Sequence, residues 1–208
     1  MDSKYAITSE DEIEAIIGER DERIRVKIFS QLDSIMREFI SRSPLIFIST
    51  IDEDGHVDVS PKGDPAGFVM ADDDGNLLIP ERPGNRLTLG FRNILRNGEI
   101  GLIMLVPHQR ETLRIKGTAT LHRDPDVLEQ MSVNGKPALM YTRVEVKECF
   151  LHCGKALIRS RLWKPEEWET SSESLAARQF ATLLRDDSEE AYQTTKNNLD
   201  EIYKNELY

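Results

Sequence analysis

Between residues 44 and 163 apolar and polar positions alternate over short runs, whereas the flanking segments repeat their apolar residues at helical spacing. LIFIST, HVDVSP, FVMAD, NLLIP, IGLIMLVP, ETLRIKGTATLH and VEVKECFLHCGKALIR are the short runs, parted by clusters of Gly, Pro, Asn and Asp. Six or seven such segments predict a mainly β, α+β chain built on an antiparallel barrel. ISTIDEDGHVDVS reads as a hairpin, because Asp54-Gly55 is a dipeptide that tight turns favour; DDDGN at 72–76 reads as another.

Residues 8–40 open on the capping sequence Thr8-Ser9-Glu10-Asp11 and carry Ile13, Ile16, Ile17, Ile24, Val26, Ile28, Phe29, Leu32, Ile35, Met36 and Ile40 at mostly helical spacing. One or two helices are predicted there, with Gly18 between them. Asn85 to Asn97 predicts a central helix, with Leu87, Leu89, Phe91, Ile94 and Leu95 largely along one face and Asn97-Gly98 as its stop. After Trp168, SSESLAARQFATLLRDD and SEEAYQTTKNNLDEIYKNELY predict acidic, thinly apolar helices for packing or dimer contact. The expected division is a helical extension at 1–43, a barrel at 44–165 and a second helical extension at 166–208.

Composition changes this picture in two ways. With 37 Asp and Glu against 27 Lys and Arg the net charge is −10, which argues against nucleic-acid or anionic-membrane partners. No apolar run is long enough to cross a bilayer, and MDSKYAITSEDEIE lacks the basic start and apolar centre of a signal peptide, so a cytoplasmic protein is expected. Cys149 and Cys153 share one face of an extended segment about 13 Å apart, too far for a disulfide. His152 and Cys153, being neighbours on a strand, point to opposite faces and read as a satisfied or buried pair rather than a metal site. His56, His108 and His122 read as turn or loop residues, and neither a Gly-x-Ser-x-Gly elbow nor a P-loop is present.

Chemistry concentrates in two segments, Val57-Asp58-Val59-Ser60-Pro61-Lys62-Gly63 and Ile79-Pro80-Glu81-Arg82-Pro83-Gly84-Asn85-Arg86-Leu87. The second leads into the central helix, so backbone N–H groups and the positive end of a helix dipole lie beside Arg82 and Arg86, as a phosphate requires. Lys62 is a third cation. An Arg fork can hold two phosphate oxygens and a Lys adds a compact charge. The same three side chains also fit solvated loop charges.

DVSPKGDPAGFV, LIPERPGNR, RNILRN, ETLRIKGTA and CGKALIRSRLW, in that order, resemble the pyridoxamine 5′-phosphate oxidase-like, FMN-binding split β-barrels, and within them a subgroup of FMN-dependent proteins. The resemblance spans about residues 44–165. It implies an FMN phosphate held by Lys62, with Ser60 and Pro61 beside it, and by Asn85 and Arg86. Ile79 and Pro80 would line the flavin ring. Asn85 stands where the better-known oxidases have Arg, and Arg82 is the cation available to replace it. Thr112, five before Gly117, takes a position from which the family reaches the flavin across a dimer; it also reads as an ordinary β-branched strand residue. Arg159, Arg161 and Trp163 follow the last strand, and alternation puts Arg159 and Arg161 on one side. A cation beside Trp163 suits a reduced flavin, while a Trp there also suits an edge or interface anchor.

The resemblance implies an FMN-dependent oxidoreductase, a homodimer with two flavin sites and NADH or NADPH as reductant, with no catalytic acid or base marked. The alternatives are a flavin-binding, redox-responsive module without turnover, and a split barrel that takes haem or a deazaflavin.

Overall fold

The alternating runs do form strands. In the computed structural model, which describes residues 4–19 and 21–208, they are β1 (Leu45–Ile51), β2 (Val57–Gly63), β3 (Met70–Ala71), β4 (Leu77–Glu81), β5 (Glu99–Leu105), β6 (Thr112–His122) and β7 (Met140–His152). They make one sheet in the order β2-β1-β5-β6-β7-β4-β3, with every pairing antiparallel. Among the described residues no backbone ladder joins the two ends of the sheet, so the split barrel is not closed by strand pairing.

Both hairpins form as the turn residues require. Ile51 pairs with Val57 across a turn in which Gly55 takes φ 84°, and Asp52 Oδ1 accepts from the amides of Asp54 and His56. Asp52, Asp54 and His56 bring ligand atoms within 4.8 Å of one another, but Asp52 is occupied by the turn itself. At the second turn Asp72 Oδ1 accepts from the Asn76 amide at 2.7 Å. FVMAD shrinks to the two residues of β3.

Alternation decides the core. Ile46 and Ile48 of β1, Leu102 and Met104 of β5, Leu113 and Ile115 of β6, Leu77 and Ile79 of β4 and Val144 of β7 all turn inward. Helix α3 (Ser34–Arg42) closes one end with Met36 and Ile40, capped by Asp33, whose Oδ1 accepts from the Met36 amide. Before it the chain forms α1 (Glu10–Ile17), capped by Ser9 and stopped at Gly18, and a single turn, α2 (Glu22–Arg25). Three short helices thus replace the one or two expected, because Phe29 leaves helical geometry to bridge Cys149 on β7.

β6 and β7 carry the longest ladder, which slips once: Lys116 pairs with Glu148 but Gly117 with Val146, leaving Lys147 as the extra residue of a bulge. Glycine is required there, since a Cβ on residue 117 would stand 2.1 Å from the Glu145 carbonyl oxygen. His122 ends β6 as a strand residue, contrary to its loop reading, and stacks on Tyr141. Downstream lie α5 (Pro125–Gln130), α6 (Lys155–Arg159), α7 (Leu175–Leu183) and α8 (Glu189–Asn205). No helix among the described residues is long and apolar enough to cross a membrane. Replacing Gly117 with Ala should destabilise the fold by about 2 kcal/mol, read as a lower urea midpoint with unchanged m-value.

Candidate functional site

β2 lies at one edge of the sheet and β4 stands next to the other, and side chains join what the ladder does not. Alternation turns Lys62 of β2 inward, where Nζ donates to Glu81 Oε2 at the end of β4. Two residues on, Asp64 Oδ2 accepts from Arg82 Nε at 2.8 Å. The carboxylates are the deeper partners: Glu81 and Asp64 side chains are 3% and 1% exposed, against 20% for Lys62 and 14% for Arg82. Glu81 Oε1 accepts from Thr142 Oγ1 of β7 at 2.6 Å. Arg82 Nη2 donates to the Met131 carbonyl at 2.7 Å, and its Nη1 is buried without a partner among the described residues. Tyr208 reaches back to this seam, its hydroxyl donating to Asp64 Oδ1 at 2.7 Å and its ring 5.9 Å from the Arg82 guanidinium.

The central helix, α4 (Leu89–Arg96), begins against the same place, with Lys62 Nζ 4.9 Å from the ring of Phe91 in its first turn. Asn93 donates to Thr50 Oγ1 at 3.0 Å and Asn97 to the Ile51 carbonyl at 2.7 Å, which pins the helix along β1. It starts four residues later than the sequence predicts. Asn85 is the reason, since its Oδ1 accepts from the Leu87 amide at 3.1 Å and builds a turn instead. Arg86 and Thr88 then take left-handed φ of 61° and 56°, and Thr88 makes no side-chain cap, so the first amides of α4 stay open. The predicted apolar face is mostly not buried: Ile94 packs inward, whereas Leu87, Leu89 and Leu95 are exposed.

Around this centre Ser60 is half-buried and Pro61 exposed on β2, Ile79 and Pro80 are buried in β4, and Asn85 and Arg86 are exposed in the loop. Thr112 opens β6 opposite His152, and the register Lys62, Ile46, Met104, Leu113 across β2, β1, β5 and β6 puts it one residue along and three strands from Lys62, on the order of 15 Å at strand spacing.

Arg161 and Trp163 lie beyond β7, Trp163 against the connection between β5 and β6. β7 ends at His152 rather than running through KALIR, so α6 overturns the alternation that put Arg159 and Arg161 on one side. Gly154 permits the change of direction, because a Cβ there would lie 2.6 Å from Arg110. Trp163 Nε1 donates to the Gln109 carbonyl at 2.7 Å beside the His108 ring, and Arg161 pairs with Glu167 at φ 54°. His152 and Cys153 are both exposed rather than buried, because β7 ends at His152, and the two cysteines are free.

Comparison with protein families matches residues 32–153 to the family described as pyridoxamine 5′-phosphate oxidase. The chain belongs to that family. The match begins just ahead of α3 and ends after β7, so it takes in both halves of the seam and α4. Similar solved structures include HupZ of Group A Streptococcus, 18% identical over 58% of this chain and 94% of that one, with a TM-score of 0.46. HutZ, described as a heme storage protein from Vibrio cholerae, is 15% identical over 59% of this chain and 94% of that one at 0.40. An FMN-binding protein from Syntrophomonas wolfei is 9% identical over 67% of this chain and 96% of that one at 0.41. No curated protein matches the chain.

Sequence reasoning singled out Lys62 and Arg82 and missed the carboxylates with which they pair. The signal was present in the same segments: Lys62 and Asp64 of PKGD are complementary to Glu81 and Arg82 of PERP. Burial pushes the Glu81 carboxyl above the usual range, and the ammonium of Lys62 opposes that shift. The protonated form therefore favours folding: its contribution is fully present below the unfolded carboxyl value and is lost as pH rises through the folded one. Lys62→Met leaves Glu81 buried without its cation and should cost about 3 kcal/mol at neutral pH. The deficit should shrink as pH falls toward about 4.5, where the unfolded carboxyl also protonates, measured by urea unfolding across that range.

Proposed function

We propose that the chain binds FMN between two copies of itself and works as an FMN-dependent oxidoreductase. One observation carries the reading: Lys62 Nζ lies over the ring of Phe91 in the uncapped first turn of α4, with Arg86 in the loop immediately ahead. A phosphate seated there accepts from the backbone amides of α4, from Lys62 and from Arg86. The four seam charges sum to zero, so Arg86 and the helix dipole supply the excess positive potential that a dianion needs. This donor set fits a phosphomonoester. In this reading Ser60, Pro61 and Asn85 frame the phosphate, Arg82 backs it through Asp64, and Ile79 and Pro80 line the ring. Membership of a family named for an oxidase supports a flavin ligand.

The family resemblance, in which the Thr112 position reaches the flavin of the other copy, supports a two-chain site. The outer sheet face suits such a contact. Pro61, Phe47 and Ile103 lie in register across β2, β1 and β5, exposed together with Val57, Val59 and Ile51, and Leu87 and Leu89 add to the apolar surface. A self-complementary patch of this kind makes an isologous dimer. The partner copy then brings Thr112, with Arg161 and Trp163 of its α6 turn, to the flavin. FMN supplies the hydride chemistry when bound, and the protein orients it, balances its charge and excludes water.

Purified protein should carry flavin absorbance and run as a dimer in solution mass measurements. Arg86→Ala should weaken FMN about tenfold or more, the value of one charged hydrogen bond; equal retention would remove Arg86 from the phosphate site. Anaerobic bleaching by NADH or NADPH separates an enzyme from a flavin carrier. A colourless protein that takes up no added FMN would overturn the reading.

A further inference from the structure

We infer that Glu81 is a positioning residue that couples occupation of the Lys62 site by a phosphate dianion to the uptake of one proton. The inference rests on the flavin reading for the identity of the anion, the phosphate of FMN. Among the described residues Lys62 has a single anionic partner, and that partner is inside the protein: Glu81 ends a core strand with Oε2 on Lys62 and Oε1 on Thr142. A dianion arriving at Lys62 places a second anion on the same cation. Two like charges sharing one partner disfavour each other's ionised form, and the more buried one gives way. The phosphate keeps its charge because solvent, Arg86 and the amides of α4 remain with it. Glu81 has only the Thr142 hydroxyl left, so it takes a proton from the buffer at Oε2, the oxygen that Lys62 releases. No heavy-atom bond is made or broken.

The other groups facing the site do not substitute for it. On β2, Asp64 is held by Arg82 and Tyr208, and Asp58 lies against Gly90 of α4. Arg82 and Arg86 stay cationic throughout. The Tyr208 hydroxyl, bonded to Asp64, and that of Tyr141 on β7, raised mainly by burial, are both pushed upward and stay neutral. Burial already raises the Glu81 carboxyl, so the added anion moves it in the direction in which it is displaced.

FMN binding is followed by fluorescence quenching from about pH 7 to about pH 8.5, above the second phosphate ionisation near 6. The wild-type Kd should rise with pH, by up to about tenfold per unit. Calorimetry in two buffers of different ionisation heat should report about one proton taken up per FMN. Glu81→Gln keeps the shape and the Thr142 contact but cannot protonate, so its Kd should be flat with pH and its heat independent of buffer. Thr142→Val removes a bond that favours the carboxylate and should displace the wild-type pH dependence upward. A wild-type Kd that ignores pH, or an E81Q protein that keeps the wild-type slope, overturns the inference. A wild-type protein that binds no FMN removes the flavin reading instead. Inorganic phosphate is then the titrant: buffer-dependent heat in wild type but not in E81Q supports the inference, and its absence overturns it.

Discussion

Two ion pairs hold together what hydrogen-bonded strands leave open. A seven-stranded sheet that curls back on itself can end in one more ladder, which would fill the gap with backbone, or in side chains, which leave a polar slot. Lys62 with Glu81 and Asp64 with Arg82 take the second course. Buried ion pairs add little net stability over well-packed apolar residues, but they are costly to break from one side. The seam is thus specific in its geometry while its polar atoms stay available, and a ligand that enters competes for the same charges that close the fold.

The loop ahead of α4 shows how the site is kept ready. Left-handed backbone at Arg86 and Thr88 costs on the order of 1 kcal/mol each and persists only where its surroundings over-determine it. Here the surroundings are the side chains of Asn93 and Asn97 on β1, and Gly98, whose carbonyl accepts from the Ala119 amide at 2.7 Å. α4 is positioned from its middle and far end, which leaves its first turn without a side-chain cap.

The strands and both hairpins were legible because alternation and Asp-Gly turns are local, and the same holds for the Ser9 cap. The seam was not, because nothing local says that residues 18 or 19 apart on non-adjacent strands will meet. α6 was misread for a related reason: KALIR continues the apolar texture of β7, and only the contact of Gly154 with Arg110 dictates the change of direction. The start of α4 was hidden by Asn85, whose side chain competes for a backbone amide that a helix would otherwise use. At the candidate site the cation positions could be read, but their charge state could not, since that depends on carboxylates contributed by the opposite strand.

The bulge at Lys147 carries a consequence for how this chain can change in length. Below it β7 turns Thr142 and Val144 toward the core, and above it Cys149 and Leu151, an even set followed by an odd one. One surplus residue is absorbed there without turning either half inside out, and Gly117 provides the room. An insertion or deletion elsewhere in the ladder has no such reservoir and would exchange inner for outer side chains along the rest of the strand. Length variation in descendants of this fold should therefore gather at that point and in the loops, while the segments between them keep their residue count.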